Sequence, residues 1–262
     1  MSETFCVPQY LHFIKRFYTD NIYKLCAYPA AFQQITGPVS FFKDTACRIY
    51  DNIRKAIQFL LSSNLAEVIA IFIATIMNFT ILKPAHLLWI NLITDCFPAI
   101  GLGMEEAEPD TMIQPPRNKT DGIFSGGLGV EVVIQGAVIA ILTVVSYAVG
   151  HYLESGSWHI ETSKDGMTMA FLTLSLMEVF HSFNMRSRTA SIFSLKKQNK
   201  TLWITLIFSL VLTIAILCIP ALRNLFSFNF IDGKEFIIAV GIALLIIPFV
   251  EISKIIKRAK NK

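Results

Sequence analysis

The chain is 262 residues long, with 53% hydrophobic and only 16% charged positions and a formal net charge of +4. That apolar share exceeds what a soluble catalytic domain carries, and so modest a charge gives nucleic-acid binding no support. The basic residues flank apolar runs, as they do in a multispan membrane protein.

Residues 1–46 mix aromatics (Phe5, Tyr10, Phe13, Phe17) with Lys15, Arg16, Lys24 and Pro29, and hold neither a spanning run nor a signal-peptide pattern. Leu11, Ile14, Phe17 and Tyr18 hint at an amphipathic helix on the membrane surface; disorder or a non-native segment are the alternatives. From Arg48 to Lys55 the chain is polar and basic just ahead of the first apolar run, which places this end in the cytosol. Apolar runs at about 57–79, 85–104, 126–149, 167–183, 202–221 and 235–250 predict six spans. The expected fold is therefore an all-α, six-helix transmembrane bundle with short loops over residues 47–262 and both termini cytosolic. Of 23 Lys and Arg residues, the outer loops hold only Lys83, Lys164, Arg223 and Lys234, whereas Arg186, Arg188, Lys196, Lys197, Lys200 and the Lys254 to Lys262 tail lie inside. Cys6, Cys26, Cys47, Cys96 and Cys218 are far apart, lack a Cys-x-x-Cys pair and read as unpaired.

The first two spans carry acids near their middles, where an unpaired charge costs several kcal/mol. On helices, Asn64 and Glu67 share one face, and Asn91, Thr94 and Asp95 share another. The short connection at Asn78 to Pro84 makes the two helices antiparallel. Glu67 and Asp95 each lie about a dozen residues from it, roughly 17 Å at a helical rise, so both carboxylates reach one depth. Two carboxylates, two carboxamides and a hydroxyl form a hard oxygen cluster suited to Ca²⁺. Pro98 lacks the amide that would bond the Thr94 carbonyl, and Gly101 and Gly103 loosen the helix further. The competing reading is that these residues only glue two helices together by hydrogen bonds.

Other polar groups fall within the later spans. Glu131 and Gln135 share a face of the third, and Glu178, His181 and Asn184 share one of the fourth. Either set extends an ion path or simply pairs with a neighbouring helix, and Glu178 is the one most worth testing. Arg186 and Arg188 read as inner anchors, although a guanidinium reaching inward would replace a bound cation's charge. Asn78-Phe79-Thr80 is a glycosylation-type triplet too short to carry weight.

Over residues 47–262 the chain resembles P-type cation-transporting ATPases of the calcium-pump subgroup. The pieces that carry the resemblance are Arg48 to Lys55, Ser63-Asn64-Leu65-Ala66-Glu67, Leu88-Trp89-Ile90-Asn91-Leu92-Ile93-Thr94-Asp95, and Asp110-Thr111-Met112 followed by Pro115-Pro116-Arg117. They look like the last six of the family's ten membrane helices, which implies that Asn64, Glu67, Asn91, Thr94 and Asp95 are metal ligands and Ca²⁺ the transported ion. Glu178, Asn184, Arg186 and Arg188 are possible accessory residues. The family's phosphorylated Asp, nucleotide domain, actuator domain and first four helices have no counterpart in these residues, so the chain alone is expected not to hydrolyse ATP; ATP and Mg²⁺ belong to a complete pump. In two-site calcium pumps the fourth of these spans carries an acid near its inner end, where this sequence offers Asn184, Arg186 and Arg188; the departure implies a single-site pump, with proton counter-transport through Glu67.

The leading reading is a membrane transport domain in the lipid bilayer, expected in the cell membrane, acting with the remaining pump segments or an intact pump. A pump fragment for another cation is the alternative within the family, and the neutral Asn91 argues mildly for calcium. From a different class, the chain would be a non-enzymatic membrane protein that binds partners or modulates an intact pump.

Overall fold

The structure is a computed structural model and describes residues 38–106, 122–195 and 197–260. The surface-helix reading at Leu11 to Tyr18 and the Asp110 to Arg117 stretch lie outside them. Among the described residues every regular element is helical. The described residues fall into two compact units, one with residues 38–54, 106 and 122–126, the other with residues 55–105, 127–195 and 197–260. In the first, the Arg54 guanidinium lies 6.0 Å from the Tyr50 ring centroid and donates to the Ser125 carbonyl. The second holds the bundle.

Helix α1 (Pro38–Ile76) is 39 residues long because nothing after Pro38 breaks it. Its end is a left-handed cap: Asn78 takes φ 59°, the Asn78 amide reaches the Thr75 carbonyl at 3.2 Å, and the Phe79 amide reaches Ala74 at 3.0 Å. The first span, expected to run to residue 79, stops at Ile76 for this reason. The chain re-enters through α2 (Pro84–Trp89), a π-helical segment (Ile90–Asp95) and α3 (Cys96–Gly103). The wide turn lies just ahead of Pro98, which cannot donate to the Thr94 carbonyl, and the neighbouring Ile93 carbonyl takes the Ser209 hydroxyl at 2.8 Å.

Helices α4 (Leu128–Ser155) and α5 (Lys164–Asn184) pair extensively. A glycine pair permits it, since a Cβ on Gly150 would lie 2.9 Å from the Gly166 Cα. Along α5 nearly every side chain from Gly166 to Asn184 is buried, so the helix is enclosed by protein. Helix α6 (Lys200–Cys218) ends before Pro220, short of residue 221, where the fifth span was expected to end; α7 (Pro220–Leu225) follows. Helix α8 (Gly233–Leu244), capped by Asp232 and Glu235, gives way at Leu245 to α9 (Ile246–Lys260), because Pro248 cannot bond the Leu244 carbonyl.

Five stretches among the described residues are long and apolar enough to cross a membrane: Arg48–Ile76, Pro84–Gly103, Leu128–Ser155, Lys200–Cys218 and Gly233–Ala259. The expected fourth span, 167–183, lies within α5, which is not one of the five. It carries Lys164, Asp165, Glu178 and His181, and its enclosure removes the need for an apolar surface. Where α1 hands over to α2, the His86 ring stacks on Phe228 at 4.3 Å; its Nδ1 accepts from the Lys83 amide and its Nε2 donates to the Phe226 carbonyl at 2.7 Å.

Candidate functional site

The buried face of α1 in its middle is built from small residues, Ser62, Ser63, Ala66, Ala70 and Ala74, which let neighbouring helices approach closely. Glu67 lies one turn beyond Ser63 on that face. Asn64 does not: it is exposed, in line with Leu61, Val68, Phe72 and Ile76, and its amide donates to the Leu60 carbonyl of its own helix at 2.7 Å. Asn64 therefore lies apart from Glu67, Asn91, Thr94 and Asp95, and Ser63 is the residue of α1 that meets Asp95 and Glu178.

Three carboxylates from three elements meet the buried face. Glu67 of α1, 6% exposed, accepts from the Asn91 amide at 2.9 and 3.2 Å. Asp95, at the end of the π-helical segment and 1% exposed, accepts from the Ser63 hydroxyl at 2.9 Å. Glu178 of α5, fully buried, faces the Ser63 hydroxyl at 2.5 Å through Oε1 and the Thr94 hydroxyl at 2.5 Å through Oε2. Asn91, Thr94 and Asp95 are all within the widened turn, which brings the first against Glu67 and the others against Ser63 and Glu178.

A count of protons shows what the cluster lacks. Ser63 has one hydroxyl hydrogen but faces oxygens of both Asp95 and Glu178; Thr94 has one but faces both Glu178 and the Ile90 carbonyl at 2.9 Å. Two hydrogens serve four acceptors. In addition, Asp95 Oδ2 is buried with no hydrogen-bond partner, as is Ser175 Oγ, one turn before Glu178. An oxygen-rich, donor-poor pocket of this kind is completed by a proton or by a hard cation. Among the described residues no three His, Cys, Asp or Glu side chains converge as a ready-made metal site; the acids are instead strung together by Ser63, Thr94 and Asn91.

His181, one turn beyond Glu178 and fully buried, places Nε2 3.1 Å from the Ser62 hydroxyl. The remaining accessory candidates lie elsewhere. Asn184 is buried with its amide 3.4 Å from the Ile246 carbonyl. Arg186 forms an ion pair with Glu105, 2.9 Å from Nη2 to Oε1, and also donates to the Lys197 carbonyl. Asn199 completes that group, donating to Glu105 and to the Gly101 carbonyl at 2.8 Å each while its own oxygen caps α6 through the Leu202 amide. Arg188 donates to Gln58 at 2.9 Å and to Glu131 at 3.3 Å. Neither guanidinium takes a cation's place beside the three acids. The fourth expected span does bring an acid to the cluster, and it is Glu178.

Ser63 was the residue that sequence reasoning passed over, although its i, i+4 spacing to Glu67 and the run of small residues behind it were both present in the chain.

A family model described as the C-terminus of cation-transporting ATPases matches residues 79–256. The protein named calcium-transporting ATPase 1 of Bacillus cereus is 38% identical over 227 residues, which cover 81% of this chain and 25% of that protein. Its namesake in Lactococcus lactis is 38% identical over 221 residues, 82% of this chain and 24% of that one. The calcium-transporting ATPase type 2C member 1 of Bos taurus is 28% identical over 216 residues, 82% of this chain and 22% of that protein. The chain spans about a quarter of the length of these curated relatives.

Proposed function

From the premise that this chain belongs to the P-type cation-transporting ATPases, as the C-terminal region of a calcium-transporting member, we propose that it supplies part of an intramembrane Ca²⁺ path. The ligands in this reading are Glu67, Asn91, Thr94, Asp95 and Glu178, with Ser63 as the hydroxyl that joins two of the acids; Asn64 stands outside the set. Glu105, Arg186 and Asn199, and separately Glu131 and Arg188, hold helix ends. Helix α5 is the sixth span, enclosed by the others, and both termini lie in the cytosol with the bundle in the cell membrane. ATP and Mg²⁺ act through the rest of a complete pump, to which this membrane domain contributes the cargo site.

The observation that carries the reading is the contact of Glu178 with both Ser63 and Thr94. It links Glu178 to Asp95 through Ser63 and to the segment whose Asn91 meets Glu67, so that three buried acids from separate elements share too few hydrogens to satisfy them. Hydrogen-bonding glue between helices does not call for three acids, each of which is expensive to bury. Ca²⁺ supplies what the protein leaves out: two positive charges, and room for six to eight oxygens at about 2.3–2.6 Å.

The test is Ca²⁺-dependent phosphoenzyme formation by a complete pump that contains this segment. Asp95→Asn and Glu178→Gln should each weaken Ca²⁺ activation severely, Glu67→Gln should also impair it, and Asn91→Ala, which deletes a dipole and not a charge, should cost less. Unchanged Ca²⁺ affinity in both the Asp95 and Glu178 variants would mean that the acids are structural.

A further inference from the structure

We propose that the pocket where α1, α4, α9 and the segment after α5 meet binds the headgroup of an anionic phospholipid. The pocket is lined by Gln58 and Gln135, both buried amides, and by Arg188, Lys254 and Lys257 against the single acid Glu131. Lys254 also pairs with Glu251 at 3.0 Å, so three cations meet two carboxylates, and an opening of this kind at the basic end of the bundle resembles the interhelical basic pockets that receive lipid phosphates on the cytosolic side.

The hydrogen bonds inside the pocket leave donors for a ligand. Glu131 accepts from Lys257 through Oε1 and from Gln58 and Arg188 through Oε2. Arg188 spends Nε on Gln58 and Nη2 on Glu131, so its Nη1 group keeps its hydrogens for an incoming oxygen. A guanidinium held in place by an amide and a carboxylate is already oriented, and it can present a further N–H pair to a phosphate with little loss of side-chain freedom.

What selects a lipid over a soluble anion is the surface around the opening. Val250 and Met185 form apolar parts of the pocket wall. The helices on either side expose long aliphatic strips, Val130, Val133 and Ile134 on α4 and Ile252, Ile255 and Ile256 on α9. Acyl chains lie along such strips, while the phosphate reaches the cations at their inner end. The inference rests on the topology proposed above, in which this end faces the cytosol, and does not depend on the Ca²⁺ site.

The experiment is the melting temperature of the full purified chain in a neutral detergent, titrated with dioctanoyl phosphatidylglycerol, dioctanoyl phosphatidylcholine or inorganic phosphate. Phosphatidylglycerol should raise the melting temperature saturably, and its half-saturating concentration should rise at least tenfold in Arg188→Gln and in Lys257→Gln. The other two additives should leave the melting temperature unchanged. An equal response to phosphatidylcholine, an equal response to inorganic phosphate, or an undiminished response in the variants would each overturn the proposal. Should Arg188→Gln fail to fold, Lys257→Gln alone decides, because Lys257 lies on the last turns of α9 and is partly exposed. Since no readout involves Ca²⁺, loss of lipid binding and loss of the transport reading are told apart.

Discussion

The acids in the middle of the bundle and those near the end that gathers the basic residues are treated in opposite ways. Glu105 receives a guanidinium and an amide, and Glu131 receives a guanidinium, an ammonium and an amide. Glu67, Asp95 and Glu178, which are at least as deeply buried, receive only hydroxyls and one carboxamide. A buried acid without a cation is costly, and the chain has shown at Glu105 that it can furnish one. Where it furnishes none, the positive charge is left to come from outside the protein.

The contrast can be broken most forcefully at Arg186. Arg186→Gln removes the guanidinium paired with the buried Glu105 and should destabilise the chain by about 3–5 kcal/mol, read from urea or thermal unfolding in detergent. A loss below about 1 kcal/mol would mean that water already screens this pair and that the two regions differ less than their contacts indicate. Next in size is Ser63→Ala, which deletes the hydroxyl shared by Asp95 and Glu178; in the absence of divalent cation it should cost about 2 kcal/mol. A neutral outcome would show that neither acid depends on that hydrogen.

Glu178→Gln should move stability the other way. With no cation present it replaces a carboxyl crowded by two other acids with a neutral amide and adds N–H donors to a cluster short of them, so unfolding should become harder by about 1 kcal/mol even as Ca²⁺ affinity falls. Loss of both stability and affinity would place Glu178 with the structural acids. The smallest effect belongs to Asn64→Ala, within about 0.5 kcal/mol, because its amide only folds back on the Leu60 carbonyl. A Ca²⁺ affinity that drops as far as in Asp95→Asn would return Asn64 to the ligand set and require α1 to turn during the cycle.

Much of this arrangement was legible in the chain. Runs of twenty apolar residues can only be helices in a bilayer, and the acids at Glu67 and Asp95 stand out because they interrupt such runs. The choice between Ser63 and Asn64 was not legible. They differ by one residue, about 100° around a helix, and an asparagine looks the better ligand until the neighbours of α1 are known. On α5 the difficulty was greater, since a helix buried on every side has no polar face from which to read its orientation, and Glu178 could not be distinguished in direction from Asn184. The π-helical turn had no periodic signature either: Pro98 marks where an amide is missing, but not which carbonyls will be released.

The enclosure of α5 also bears on how the protein is made. During synthesis each segment meets the bilayer before its later neighbours exist, and an acid at the centre of a helix costs about 2.5–3.5 kcal/mol on the insertion scale against only a few tenths gained per leucine or phenylalanine. With Glu178 and His181 in its inner half, α5 sits at the margin of entering lipid alone. Its extensive seam with α4, which precedes it by a loop of eight residues, gives it a protein surface to enter against, so the two are suited to insertion as a hairpin. Helix α8, the other large contact of α5, arrives only some fifty residues later in translation. Until then one side of α5 faces lipid, and the close Gly150 and Gly166 contact is what keeps the hairpin together in the interval.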